Sequence, residues 1–428
     1  MHKKIPRIFI GLHEVAGYNT GLKKGFDELG VESIFVELKD HPFKYGEKRS
    51  DNVLIRLIKF FGNRIIAIPE PNSFWRIFWI CCQQLSKIPL FIWALFKYDV
   101  FIFGYKSSFF YFYDLPILKL FGKRIIYIFY GSDSRPPYIQ GNYFNVPIRE
   151  CISLSNIQKK SIKKIERYAG IIVNHPPGSH FHERSFIPIM RMGFPCLINS
   201  AGTPGSMLQT NKLRILHAPS DPERKGTEII RKTIKNLQTK GYSIELIEII
   251  GKPNAQVLEE LSRCDFIIDE LYSDAVMAGF ATEAAFFGKP AVVSGYANAY
   301  DWGNLPAESI PPVHYCHPDK IEEAVEKLIV DEAYRKELGR RAKQFVDKQW
   351  SARRVAERYL MLIKGDYPDD WLYDPKTIRY LHGWGLPELK VKTLVKNVIK
   401  EGGVSALQLS DKPELERMFV DFISSEKS

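Results

Sequence analysis

Apolar residues along this chain come in two alternating rhythms: short unbroken runs bounded by glycine or polar clusters, and longer stretches with the apolar positions on one helical face. Residues 5–12 (IPRIFIGL) are the first run, with polar and glycine residues after it. Residues 20–30 predict a helix, with Leu22, Phe26 and Leu29 on one face and Gly30 as its stop. Residues 31–38 (VESIFVEL) predict the next strand. Strand, glycine-bearing turn, helix and strand is how a doubly wound α/β sheet opens. Further strands are expected at 99–103, 124–130 and 169–173, the last following a basic helix over 158–168.

The pattern then pauses. Residues 199–211 (NSAGTPGSMLQTN) are small, polar and poor in apolar side chains, which predicts a linker. Afterwards the alternation restarts: strand 213–217, helix 227–240, strand 244–250, helix 254–262, strand 265–269, helix 280–287 and strand 291–293. The expected fold is therefore α/β, with two Rossmann-like doubly wound parallel-sheet domains facing a cleft. The expected boundaries are 1–200 for the first domain, 201–212 for the linker and 213–350 for the second. Helices follow at 321–329, 332–350 and 351–363, with Ser351 as N-cap of the third. A C-terminal extension, 366–428, carries turn-rich segments (DYPDDWLYDP, HGWGLPEL) and helices at 391–400 and 412–424. Its Trp371, Trp384 and apolar residues predict that it packs against the body of the protein.

Composition adds exclusions. Of 428 residues, 45% are hydrophobic and 25% charged, which excludes a disordered, collagenous or small disulfide-built chain. The cysteines (81, 82, 151, 196, 264 and 316) form no C-x-x-C pair, so a reduced, cytoplasmic chain is expected. The apolar run 8–12 is too short for the core of a secretory signal. Residues 74–96 come nearest to a membrane span, but Arg76, Gln83, Gln84, Lys87 and Pro89 interrupt them. A span wants ~20 apolar residues. The expectation is contact with a membrane surface, through Phe74, Trp75, Phe78, Trp79, Ile80, Phe91, Trp93 and Phe96 with Arg76, Lys87 and Lys97 among them.

Charge sharpens this. The net charge is +11, yet residues 1–200 hold 28 Lys and Arg against 15 Asp and Glu, while 201–428 hold 32 against 34. All the excess lies in the first half, in keeping with an anionic partner there. No RNA- or DNA-reading motif accompanies the charge, so nucleic acid is not expected.

The chemistry concentrates in residues 213–295. In LRILHAPSDPERKGTEII, a strand and a polar loop lead to Lys225, Gly226 and Thr227 at a helix start. Orphan N–H groups and the helix dipole favour anions there, and the lysine adds a full charge. In GFATEAAFFGKPAVVSGY, Glu283 lies among small residues after Gly279 and Phe280. A carboxylate in such company needs a donor or a ligand hydroxyl, and a ribose diol would serve.

These motifs together resemble GT-B-fold glycosyltransferases, most closely the family-4 group that uses nucleotide-sugar donors. The resemblance covers roughly residues 5–365. It implies that Lys225 of the K-G pair binds the donor diphosphate and that Glu283 of EAAFFGKP binds the donor ribose. In the first half, YDVFIFGYKSS and DLPILKLFGKRIIYIFYGSDSR resemble the family's strand, D-L-P helix and H-G-S-D-x-R strand end. The glycine loop with Gly17 fits as well. The resemblance implies that residues 351–365 cross back onto an acceptor-binding first domain. It also implies transfer with retention and without metal, from a nucleotide-sugar that is substrate rather than cofactor, onto a glycan or lipid-linked acceptor in bacterial-type surface glycan assembly. Three positions depart from the pattern. Eight residues before Glu283, where many members carry a second glutamate, stands Ala275, with Asp274 adjacent. The arginine that often shares the diphosphate falls near Pro219, and the histidine of H-G-S-D is Tyr130.

Asp133 and Arg135 sit at a predicted strand C-terminus, the edge where open α/β sheets bind ligands, and are the catalytic candidates. The competing reading makes Asp133 a turn cap before Pro136 and Pro137. His13, His175, His180 and His182 suggest metal-ligand spacing, but the PPGS between them is irregular and no metal is expected. Arg149, Lys159, Lys160, Lys163 and Lys164 read as a basic surface. Two other functions share these features: a nucleotide-sugar epimerase, which needs no basic face, and a catalytically silent partner in a glycan assembly complex.

Overall fold

The computed structural model describes residues 5–39, 52–70, 73–195, 212–302 and 305–424. All of the linker expected at 201–212 except Lys212 lies outside them, as does Cys196. The first domain runs β1 (Ile8–His13), α1 (Tyr18–Glu28), β2 (Ser33–Lys39), α2 (Val53–Ile66), α3 (Phe74–Lys97), β3 (Val100–Gly104), α4 (Leu115–Leu120), β4 (Arg124–Ile128), α5 (Ile148–Tyr168), β5 (Ile171–Asn174), β6 (Ile187–Pro188) and α6 (Ile189–Met192). Its six strands are parallel in the order β2-β1-β3-β4-β5-β6. The second domain runs β7 (Leu213–His217), α7 (Thr227–Thr239), β8 (Ile244–Glu248), α8 (Asn254–Arg263), β9 (Phe266–Ile268), α9 (Gly279–Phe286), β10 (Ala291–Ser294), β11 (His314–Cys316), α10 (Ile321–Val330) and α11 (Glu332–Gln349). Its five strands are parallel in the order β11-β10-β9-β7-β8. Central strands such as β3 and β10 are buried at every position, which is why they read as unbroken apolar runs.

Each sheet is covered on both faces. In the second domain α7 and α10 pack on one side, while α8, α9 and α11 pack on the other. In the first domain α1 covers one face together with α12 (Ala352–Lys364), which returns from the second domain. Ser351 caps α12, its hydroxyl accepting from the Arg354 N–H. The crossing is close because Gly25 lacks a side chain: a Cβ there would lie 2.0 Å from the Ala352 carbonyl oxygen. The hydroxyls of Tyr18 and Tyr359 meet at 2.9 Å in the buried seam.

The other face of the first domain holds α2, α3, α4, α5 and the C-terminal extension, including α13 (Glu388–Gly402) and α14 (Pro413–Ser424). Val391, Leu394, Val395, Val398, Leu407, Leu409, Leu415 and Phe419 are buried in the same cluster as Phe101, Phe129 and Ile165. The extension is thus part of the first domain's core. It also takes Lys159 out of the basic surface expected on α5, where Arg149, Lys160 and Lys163 stay exposed. Lys159 is buried beneath the extension, its ammonium donating to the Gln408 carbonyl at 2.5 Å and paired with Asp411. Arg149 and Lys163 are paired with Glu401 and Glu183. The residues at 74–96 lie in one continuous 24-residue helix, α3, polar interruptions notwithstanding.

Candidate active site

Both sheets present their C-terminal strand edges to the seam between the domains. On the first-domain side, β1 ends at His13 and the chain turns through Glu14, Val15, Ala16 and Gly17, whose φ of 79° suits glycine. Glu14 is buried, and its carboxylate fills the start of α1. Oε1 accepts from the N–H groups of Val15 at 2.7 Å and Asn19 at 3.1 Å. Oε2 accepts from the Thr20 N–H at 2.9 Å and hydroxyl at 2.5 Å. The first-turn amides therefore bind an internal anion. Gly17 itself does not line the pocket described below; it takes the left-handed turn that follows Val15 and Ala16, which do.

On the second-domain side, the turn after β7 delivers Lys225 and Gly226, the latter at φ 73° with Leu271 so close that a Cβ would sit 2.6 Å from it. The amides expected to bind a phosphate are already used. Lys225, Gly226 and Thr227 donate to the carbonyls of Asp221, Glu223 and Pro222. The Thr227 hydroxyl lies 2.9 Å from His217 Nε2, while His217 Nδ1 lies 2.8 Å from the Ile268 carbonyl. A carbonyl can only accept, so Nδ1 carries the proton and Nε2 accepts from Thr227. Burial lowers the His217 pKa to about 4, keeping the ring neutral. Gly226 and Thr227 thus hold the turn in place, and the ammonium of Lys225 is its more deeply buried cation, beside the more exposed Arg224 paired with Asp221.

Lys225 Nζ lies 2.5 Å from Glu270 Oε2 and 3.8 Å from Asp269 Oδ1. Burial works to lower its pKa, but the two carboxylates outweigh it and hold the ammonium above the ordinary lysine value. Glu270 is also bound by the Ser273 hydroxyl at 2.6 Å and by the indole N–H of Trp384 at 3.1 Å. Trp384 comes from the C-terminal extension, threaded between the domains: its N–H donates to Ile139 and its carbonyl accepts from Gly141, while Gly385 donates to Tyr272. Burial pushes the Asp269 carboxyl up, and its Oδ2 has no partner.

Beside Lys225 opens a pocket of about 280 Å³, lined by Val15 and Ala16 from the first domain and by Lys225, Lys252, Asn254, Asp269, Gly279, Phe280 and Glu283 from the second. Four residues singled out from sequence, Lys225, Gly279, Phe280 and Glu283, converge here. At Gly279 α9 comes close to the first domain: a Cβ there would lie 3.5 Å from that of Ala16, an ordinary contact. Glu283 is buried and accepts from the Asn254 amide at 2.8 Å. Lys252 and Asn254 escaped the sequence reading. Their signal was the G-K-P-N stretch at a strand-to-helix turn, the same edge position that singled out Lys225.

Burial raises the Glu283 carboxyl to about 8, with Asn254 opposing and the Asp269 charge adding. The folded state then holds a proton that the unfolded chain loses above the ordinary value of 4.5. Stability should fall as pH rises from about 4.5 to about 8. Glu283→Gln is expected to flatten that fall, read from denaturant melts across the window; an unchanged slope would refute the assignment.

Asp133 and Arg135 do not line the pocket. Asp133 Oδ1 accepts from the Tyr130 N–H at 2.8 Å, closing the turn after β4, and burial raises the carboxyl to about 6. Arg135 is a buried clamp between domains. Its Nε donates to Asp274 Oδ2 at 2.9 Å, a second nitrogen pairs with the same carboxylate, and a third donates to Gln140 at 2.6 Å. In this arrangement Asp133 closes a turn, with its Oδ2 buried and unpartnered, and Arg135 joins the two domains. Asp274 likewise spends its carboxylate on the clamp. The histidines are dispersed within the core: His175 meets the Asp274 carbonyl, His180 the Tyr380 carbonyl, and His182 both Glu166 and Asn174.

No family model matches the chain, and no curated protein matches it. Several solved structures are similar. Anabaena Alr3699/HepE in complex with UDP-glucose is 9% identical, with 84% of this chain and 99% of that chain covered and a TM-score of 0.49. Sucrose-phosphate synthase from Thermosynechococcus elongatus is 13% identical, with 85% and 99% covered and a TM-score of 0.49. The catalytic domain of starch synthase IV from Arabidopsis thaliana, bound to ADP and acarbose, is 11% identical, with 85% and 99% covered and a TM-score of 0.47. The chain's own structure has the fold class expected from its sequence: two Rossmann-like parallel sheets facing each other across a seam.

Proposed function

We propose that this protein is a glycosyltransferase that moves a sugar from a nucleotide-sugar donor to a glycan or lipid-linked acceptor. The observation that carries the reading is the convergence of Lys225, Lys252, Asn254 and Glu283 on one pocket at the domain seam. Glu283 and Asn254 suit a ribose diol: the carboxyl accepts, and the amide beside it fixes its orientation. Lys225 and Lys252 supply positive charge for a diphosphate. As the sugar bond breaks, negative charge grows on the leaving phosphate, and a fixed ammonium stabilises it more in the transition state than before it. Lys225 exchanges Glu270 for the diphosphate, while Ser273 and Trp384 keep Glu270 satisfied. The acceptor enters from the first-domain side, past Val15 and Ala16. Transfer with retention and without metal, from the cytoplasmic face of a membrane in surface glycan assembly, belongs to this proposal.

A second reading, a donor-binding partner without transferase activity, is favoured by one feature: Lys225 is already neutralised and the position eight before Glu283 is Ala275. A thermal-shift panel of UDP-, GDP- and CMP-sugars, with release of free sugar measured in the same samples, tests both. A shift with slow sugar release supports the transferase, and a shift without release supports the silent partner. No shift with any donor overturns the donor site.

A further inference from the structure

We propose that α2 and α3 form a docking arm that inserts into one leaflet of an anionic lipid bilayer. The two helices pack as an antiparallel hairpin, Phe60 and Phe61 against Trp79 and the Gln83 amide against the Ile58 carbonyl. Only one end of the hairpin belongs to the domain. In α3 the buried residues are Leu90, Phe91, Ala94 and Leu95, all in its C-terminal third. Phe91 packs on Phe109 and Phe110, in the loop that follows the C-terminal end of β3. Because α3 leads directly into β3 and runs back against it, the residues before Phe91 rise past that strand edge, on the side where the pocket lies. From Phe74 to Ile88 this is about 22 Å of helix.

The projecting part is apolar without being buried. Phe74 is 73% exposed, Trp75 60%, Ile66 66% and Leu85 64%, and Ile77 and Phe78 are exposed beside them. Ile66 and Phe74 end their helices at the same tip. Such a patch needs a partner, and its charge identifies which. Arg56, Lys59, Arg64, Arg76 and Lys87 lie along the arm, against Glu70 as the one acid among its described residues. A second copy would set two such cationic arms together, whereas an anionic leaflet matches both the cations and the aromatic tip. α3 is long and apolar enough to span by length and composition. Yet its last turns are fixed in the domain core, and the free ~22 Å is short of a hydrocarbon layer of about 30 Å. The arm is therefore an insertion into one leaflet. Docking stands apart from the donor chemistry; it bears on the proposed function only in bringing the cleft to a lipid-linked acceptor.

The full-length protein is floated with vesicles of phosphatidylcholine alone and of phosphatidylcholine mixed with phosphatidylglycerol, at low and high salt. Binding should require the anionic lipid and weaken with salt. Trp75→Ala with Phe78→Ala should lower partitioning about tenfold or more, and Arg64→Ala with Arg76→Ala about as much. These side chains lie on the arm away from the domain core, so far-ultraviolet circular dichroism should match wild type. Lys225→Ala should bind vesicles like wild type, which separates failure of docking from failure of the donor site. Equal recovery on both vesicles, no recovery on either, binding untouched by the arm variants, or resistance to alkaline extraction would each overturn the proposal. So would a dimer, in place of vesicle binding, that the Trp75 and Phe78 changes dissociate.

Discussion

Ending the chain at Lys364 is expected to leave protein that is insoluble or lacks fixed tertiary packing, without donor turnover. The extension places Val391, Leu394, Val395, Val398, Leu407, Leu409, Leu415 and Phe419 in the core of the first domain. Each such side chain contributes about 1.5–3 kcal/mol when buried, and a whole domain is stable by only about 5–15 kcal/mol. Losing this layer would also uncover Tyr138, whose hydroxyl donates to the Leu407 carbonyl at 2.9 Å, and His180, bound to the Tyr380 carbonyl at 2.7 Å. Near-ultraviolet circular dichroism and sedimentation of the truncated chain check this. A soluble, active product ending at Lys364 would refute it.

Lys225→Ala is expected to cut donor turnover about a hundredfold or more, the usual cost of deleting one preorganised charge from a leaving-group site. The same change strips the cation from two buried carboxylates, and breaking a buried pair costs about 3–5 kcal/mol. Lost activity alone is therefore ambiguous. Lys225→Ala combined with Glu270→Gln removes the stranded charge, so it should regain most of the melting temperature while turnover stays low. Glu270→Gln alone, with Lys225 released, should increase the thermal shift given by a nucleoside diphosphate. Normal turnover in folded Lys225→Ala would remove the lysine from the donor site.

Much of the scaffold was legible in the chain. The strands of the second domain appear where the apolar runs lie, 213–217 without adjustment, because parallel strands buried on both faces carry a local signal. Where helices carried a cap or a glycine stop, their limits were readable, as at Ser351 and Gly30. Helix α5 begins ten residues before the expected start: Cys151 and Ser155 continue the buried face of Gln158 and Ile162, but Ser155 is polar and Ile157 exposed, which blurs the apolar period. The two-residue β6 and the half-buried edge strand β11 are too short to show any period.

The candidate site divides in the same way. Lys225, Gly279, Phe280 and Glu283 could be singled out because a strand-to-helix turn is a local arrangement, and an acid among alanines is conspicuous within it. By contrast, Arg135 and Asp274, 139 residues apart, meet only when the domains close, and their mutual neutralisation turns two candidate reactive groups into a clamp. Trp384 reaches Glu270 across 114 residues. The sequence by itself determined the two α/β domains and the turns that bear the pocket's main charges, since periodicity, caps and glycine turns act between near neighbours. Only the tertiary structure decided which charges remain available to a ligand. In a buried seam a charge is stable only when paired, and its partners come from wherever the chain returns.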